Sequence, residues 1–248
     1  MPKHEPIRPS KALRRFQSRS YTLWHFYTLT DGLLEVRSSV AARQRRSRAA
    51  GRAGLSHEDW LTKRLESWEL GSAIGTESSD FRSYFRLLVE LYVVRHVEYF
   101  NMFFAELFLE VAAKRPQVLA SDDKVEVSLL FESDSLREVK EQIAHRKSIE
   151  ISHATFPKTL QVFRDSLKVN PEFDGGDVQR VRELIAIRNL IVHHDALITD
   201  RFLIETKWPQ GRVGQRIEVS DDMLERHHQS SEEIATKLSD VLVAKFNL

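Results

Sequence analysis

The stretch that decides the fold is Val178–Asp195, with the sequence VQRVRELIAIRNLIVHHD. At about 100° per residue, its apolar residues fall within roughly 60° of one line along a helix; they are Val181, Leu184, Ile185, Ile191 and Val192. Arg188 lies on the same line, and a guanidinium in an apolar stripe is costly unless it is paired or faces a wet cleft. The pattern predicts a motif helix over about residues 177–195, with Asp177 as its N-cap.

The run Arg188-Asn189-Leu190-Ile191-Val192-His193 resembles the Arg-x(4–6)-His signature of HEPN domains. These are all-α domains found in ribonuclease toxins, abortive-infection systems and CRISPR effectors. The resemblance covers about residues 78–200, and the first 55 residues match no family that we recognise. It implies an all-α, HEPN-like helical bundle.

The resemblance also implies a chemistry, which is metal-independent cleavage of RNA by its own 2′-OH. His193 would act as general base or general acid, since the pKa of imidazole lies near the working pH. Arg188 would hold the scissile phosphate, and Asn189 would orient the histidine or the phosphate. His194 is an alternative to His193 or a helper, because Arg188 and His193 lie about 140° apart on an ideal helix and His194 about 120° away on the other side. No metal or other cofactor is expected.

The family relationship implies partners as well. Two copies of the motif face each other across a dimer in HEPN proteins, so we expect a symmetric homodimer. The expected function is that of a toxin or antiviral-defence effector. Its substrate would be RNA, and an antitoxin or a sensor protein would hold it in check.

Two other interpretations of the same residues stay open. The chain could be a non-catalytic HEPN-like module that binds RNA or protein. It could also be a helical interaction protein, in which Arg188 pairs with an acidic group of another helix. In that case His193, His194 and Asp195 would form a structural cluster at a helix C-terminus, where histidine is favourable.

Charge is distributed unevenly along the chain. Residues 1–52 contain 12 Lys/Arg and 3 Asp/Glu, whereas the remaining residues contain 25 and 33. A basic arm on an acidic body suggests contact with an anion such as nucleic acid. Five arginines of this arm are candidates for binding RNA phosphates, namely Arg43, Arg45, Arg46, Arg48 and Arg52. An equal alternative is that this segment is a solvated linker.

The composition narrows the class of protein. The chain has no cysteine, which excludes disulfides and cysteine-bound zinc and suits a reducing cytosol. We expect a cytoplasmic protein without a secretory leader. The apolar stretch 79–111 is interrupted by seven charged residues between Arg82 and Glu110, so no membrane span is expected there.

The order of predicted elements is as follows. A basic, partly disordered arm occupies residues 1–55, with disorder expected over residues 1–20, and a helical domain occupies residues 56–248. Helices are expected from Ser56 to about residue 70, over about 81–114, 135–147 and 156–169, and finally over about 221–246. Residues 124–131 could form a strand or a lid. Two β-like runs separated by Pro and Gly predict a small C-terminal β-hairpin over about 201–219, before the last helix.

Overall fold

The structure, a computed structural model, describes residues 8–49, 78–120, 133, 135–208 and 211–248. These residues form α-helices and one 3-10 turn but no strand, which confirms the predicted all-α class. The helices are α1 Lys11–Ala49, α2 Ser78–Lys114, α3 Leu136–His153, α4 Phe156–Leu167, α5 Gly175–His194, α6 Asp200–Thr206 and α7 Asp221–Phe246, and the 3-10 turn is Pro116–Leu119. None of the described helices has an apolar run long enough to cross a bilayer.

The chain forms two compact units. One comprises Met1–Tyr21 and Val93–Leu248, and the other comprises Thr22–Tyr92. In the smaller unit, Trp24, Tyr27 and Tyr92 pack ring against ring, with centroids 5.2 to 5.7 Å apart. The predicted boundary at residue 55 lies outside the described residues.

The core of the larger unit is built on an aromatic face of α2. Phe104 packs edge-on against Phe100 at 4.8 Å and against Phe163 of α4 at 6.0 Å, both between ring centroids. Phe16 of α1 approaches Phe103 to 5.6 Å. The same core includes apolar residues of α5 and α7, namely Val181, Ile234, Leu238 and Leu242. Edge-on and tilted ring pairs of this kind add to the free energy gained from burial alone.

The first turn of α1 is fixed by a carboxylate of α2. The Glu110 oxygens accept hydrogen bonds from the backbone N–H groups of Lys11 and Ala12, each at 3.1 Å. Leu13 and Phe16 are buried in the core. The prediction of disorder up to residue 20 was therefore wrong for residues 11–20, because apolar side chains within the basic segment bury this part of the helix against α2.

Most predicted helix starts are correct. Ser135 caps α3 by accepting from the Glu138 N–H, and Pro157 lies in the first turn of α4. The last helix begins after Ser220 and ends at Phe246, as predicted. The helix predicted from Ser56 and the strand or lid over 124–131 lie outside the described residues.

The predicted β-hairpin over 201–219 was wrong. Asp200–Thr206 forms α6, whose N-cap Thr199 accepts from the Phe202 N–H at 3.2 Å. The second β-like run pairs instead with the segment after α5, through a single antiparallel bridge between Leu197 and Arg216. Burial of Phe202 outweighs the β propensity of this stretch, so a helical turn forms where strand was predicted.

Two histidines lie between α2 and α7, where His96 is buried and His228 is half-buried. The ring centroids of His96 and His228 lie 5.1 Å apart, and the Ser20 hydroxyl oxygen lies 3.4 Å from Nδ1 of each ring. Burial, reinforced by the neighbouring His228 and His227, lowers the pKa of His96 to about 3. Burial alone lowers the pKa of His228 to about 4, although Glu232 lies 3.7 Å from its Nε2.

Removing the carboxylate that caps α1 should destabilise the larger unit. Glu110→Ala leaves two backbone N–H groups without their acceptors, and we expect the free energy of unfolding to fall by about 1 kcal/mol. Urea denaturation followed by circular dichroism measures this change. As a control, Glu150→Ala removes an exposed glutamate that pairs with Lys147 at 3.0 Å and should change stability by less than about 0.5 kcal/mol. Equal effects of the two substitutions would contradict the capping role.

The buried histidines should make the protein sensitive to acid. The folded state keeps His96 neutral below its ordinary pKa of about 6.5, whereas the unfolded state takes up a proton, so stability is lost as the pH falls from about 6.5 toward about 3. Each such histidine contributes up to about 1.4 kcal/mol per pH unit in this window. His96→Phe should reduce the slope of unfolding free energy against pH, while His145→Phe, at an exposed position, should keep it. An unchanged slope in His96→Phe would show that this histidine is not the sensitive group.

Candidate functional site

The motif helix α5 begins and ends with well-defined caps. Asp174 is the N-cap and accepts from the N–H groups of Gly176 and Asp177 at 2.8 and 3.2 Å. The prediction of Asp177 as N-cap was therefore wrong, because both glycines are inside the helix. At the other end Asp195 has a left-handed conformation, and the Ala196 N–H donates to the Leu190 carbonyl at 2.9 Å. This closed turn fixes the end of the helix that carries the motif.

The first half of α5 is tied to α7 by a hydrogen-bonded triad. Arg180 donates to Asp177 at 2.9 Å and to the Ser230 hydroxyl at 2.7 Å. The same hydroxyl donates to Asp177 at 2.9 Å. Asp177 thus accepts from both partners, and the three side chains satisfy one another at a half-buried interface.

A second polar link lies one turn further along. Glu183 accepts from Gln179 at 3.1 Å, and its other oxygen lies 3.4 Å from Nε2 of the buried His227 on α7. Burial opposes ionisation of Glu183, but the hydrogen bonds from His227 and Gln179 outweigh it and lower the pKa of this carboxyl below its usual value. Glu183 therefore links α5 to α7.

The apolar face of α5 differs from the predicted stripe. Val181 and Leu184 are buried as expected, but Val192 is 45% exposed, and the residues buried in the second half are Ile187 and Leu190. Residues three apart drift by about 60° around a helix at each step. The buried face therefore winds around α5, and this moves Arg188 to its half-buried edge.

The four predicted site residues lie together in the last two turns of α5. Arg188 donates to the Asn189 side-chain oxygen at 3.2 Å, and it forms no ion pair with any described residue. Asn189, His193 and His194 are exposed. Within the described part of the chain, the structure provides no acidic partner for Arg188, so the interpretation of this arginine as one half of an interhelical ion pair gains no support.

A shallow cavity of about 270 Å³ lies between α5 and α6. It is lined by parts of both helices and their connection, namely Ala186, Asn189, Leu190, His193, His194, Thr199, Arg201, Phe202 and Glu205. Leu190 and Phe202 are buried apolar residues of the lining, while two imidazoles, an amide, a guanidinium, a hydroxyl and a carboxylate supply polar groups. Arg188 is not among the lining residues, so one copy of the chain places three of the four motif residues at this cavity.

Arg201 is a functional candidate that the sequence analysis missed. Its guanidinium pairs with Glu205 one turn later at 2.7 Å, and their side chains are 86% and 51% exposed. The hydrogen bond to Glu205 raises the pKa of Arg201. Two signals pointed to a short helix here, the cap residue Thr199 and the four-residue spacing of Arg201 and Glu205, but the β-like pattern concealed them.

The candidate RNA-binding arginines are only partly described. Arg43, Arg45, Arg46 and Arg48 belong to the backbone of α1, but their side chains lie outside the described part of the structure, as does the whole of Arg52. Among the described residues, no three His, Asp or Glu side chains are arranged to hold a metal ion. The motif residues themselves supply imidazole, guanidinium and amide groups.

Comparisons with family models, with curated proteins and with solved structures found no match to this chain.

The backbone after the motif should tolerate only small residues. Ala196 has φ 59° and is 2% exposed, a left-handed conformation that is strained for branched side chains. We expect Ala196→Val to lower the free energy of unfolding by roughly 2–3 kcal/mol, through backbone strain and overpacking. Ala196→Gly should be nearly neutral, because relief of strain offsets the greater freedom of the unfolded chain.

Urea denaturation of both variants tests this expectation. Ala113→Val, at an exposed position of α2, provides a matched control and should cost less than about 1 kcal/mol. If Ala196→Val were as stable as the control, the left-handed turn that closes α5 would not exist in solution.

Proposed function

We propose that this protein is a metal-independent endoribonuclease of the HEPN type. One observation supports the proposal best. Asn189, His193 and His194 line a cavity at the end of a capped helix, and Arg188 lies on the same two turns and donates to Asn189.

The reaction needs no group beyond the RNA and the side chains. The 2′-oxygen attacks the adjacent phosphorus, the bond from phosphorus to the 5′-oxygen breaks, and the products carry a 2′,3′-cyclic phosphate and a 5′-OH. The proton of the 2′-OH passes to a general base, and the leaving 5′-oxygen receives a proton from a general acid. His193 is our first choice for one of these roles. His194 stays an alternative because it lines the same cavity.

Arg188 would neutralise the charge that builds on the phosphate oxygens, and Asn189 would orient it through their hydrogen bond. Arg188 is about 140° around the helix from His193 and lies outside the cavity of its own copy. We therefore expect a symmetric homodimer that brings the two motifs to a shared cleft. In the cell, such an enzyme would be a toxin or antiviral effector held in check by an antitoxin or a sensor.

A second candidate is a non-catalytic HEPN-like module that binds RNA or protein. The position of Arg188 outside the cavity favours this alternative, because a single copy does not assemble the complete motif around one phosphate.

Cleavage of RNA in EDTA by the purified protein tests the proposal. Wild-type protein should cut and leave cyclic phosphates, and Arg188→Ala and His193→Ala should each lower the rate by at least about 100-fold without loss of the folded state. Analysis of the product ends identifies the mechanism. His153→Ala is a matched control, since His153 is an exposed histidine in the last turn of α3, and it should leave the rate unchanged.

Each further result has a definite meaning. If His194→Ala abolishes cleavage and His193→Ala does not, the catalytic histidine is His194. Cleavage that requires a divalent metal, or that persists in both histidine variants, would contradict the proposed mechanism. RNA binding by a folded protein that cuts no RNA would favour the binding module.

A further inference from the structure

The cavity between α5 and α6 contains a cation that the motif does not include. Arg201 lines it together with Asn189, His193 and His194, and the acidic side chain in the lining, Glu205, is already paired with Arg201. The polar groups of the motif that face the cavity can all donate hydrogen bonds. This combination suits an anion with several oxygen atoms.

The size of the cavity narrows the choice of anion. About 270 Å³ falls just below the range of roughly 300–1,000 Å³ that is typical of pockets enclosing a whole small molecule. The space fits a phosphate with part of its sugar, as in one linkage of a chain that passes through an open groove. Leu190 and Phe202 in the lining provide an apolar surface against which a sugar can rest.

The pairing of Arg201 with Glu205 does not prevent it from binding phosphate. Both side chains are largely exposed, and ion pairs in such positions contribute little to stability because water screens them. A phosphodiester can therefore recruit the guanidinium at small cost. Glu205 has two opposing effects, since it orients the Arg201 side chain but also repels an approaching anion.

We propose that Arg201 and the cavity beside the motif form a subsite for a phosphodiester of single-stranded RNA, adjacent to the linkage that is cut. This inference rests on the proposed ribonuclease function. It adds to that proposal a binding position for the RNA phosphate next to the linkage that is cut. Arg201 is a positioning residue in this scheme, because it holds a neighbouring phosphate and does not contact the reacting atoms. Glu205 weakens the affinity of the subsite.

Binding of a 2′-O-methyl RNA tests the subsite without interference from cleavage, because this RNA lacks the nucleophile. We expect Arg201→Gln to weaken binding about five-fold and to reduce the slope of log affinity against log salt by about 0.7, the value for one contact with a single-stranded phosphate. Glu205→Gln should have the opposite effect and strengthen binding about two- to five-fold, because it removes the repulsive charge.

The chain offers a closely matched control pair. Arg137 and Glu141 on α3 have the same four-residue spacing and the same kind of contact, at 2.8 Å with 88% and 63% exposure, away from the motif. Arg137→Gln and Glu141→Gln should leave the affinity and its salt slope unchanged. If Arg201→Gln and Arg137→Gln weakened RNA binding equally, the loss would reflect only the lower net charge of the protein. That result would overturn the subsite.

The outcomes separate this inference from the proposed function. If Arg201 affects binding but the unmodified RNA is not cut, the subsite stands and the nuclease proposal fails. If the RNA is cut but Arg201→Gln binds like wild type, the subsite fails and the nuclease stands. If the wild-type protein does not bind RNA, both the subsite and the ribonuclease proposal are overturned. A mononucleotide or inorganic phosphate that binds more tightly than the RNA, in a manner that depends on Arg201, would assign the cavity to a free phosphate compound.

Discussion

Packing on the phenylalanine face of α2 is the interaction on which the larger unit depends. Phe100, Phe103, Phe104 and Phe108 are each about 1% exposed, and α1, α4, α5 and α7 all contribute to the same core. Burial of one such side chain contributes about 1.5–3 kcal/mol. The motif helix meets this core through Val181 in its first half. Its second half buries Ile187 and Leu190 and carries Arg188 and the histidines on its half-buried and exposed sides.

The two halves of α5 use their polar residues differently. In the first half Asp177, Arg180 and Glu183 all bond to partners, and Ser230 and His227 of α7 complete these links. In the second half Arg188 bonds only to its neighbour, and the described residues offer the two histidines no side-chain hydrogen bond. Caps at both ends and the links to α7 in the first half fix the position of α5, and with it the position of the motif residues.

The sequence predicted four of the helices well, but it missed the start of α1 at Lys11 and predicted the site only in part. Helices α2, α3, α4 and α7 were found because apolar periodicity and residues such as Ser135 and Pro157 mark them locally. Helix α6 was missed because its seven residues depend on burial of Phe202, which only the tertiary structure provides. Because α6 was missed, Arg201 could not be placed next to His193. The winding of the buried face away from Arg188 also depends on tertiary packing and could not be predicted. The motif residues themselves were identifiable from the sequence alone, because their spacing is a local property.

The chain beyond residue 52 is acidic overall, so individual cations near the motif matter for contact with an anion. Residues 53–248 contain 33 acidic and 25 basic side chains, so on average this part of the chain repels a polyanion such as the proposed substrate. Charges separated by more than about 8 Å are largely screened at physiological ionic strength. The net positive charge of segment 1–52 can raise the local concentration of RNA. Alignment requires donors within hydrogen-bond distance; Asn189 and Arg201 line the cavity with the two histidines, and Arg188 lies on the same helix.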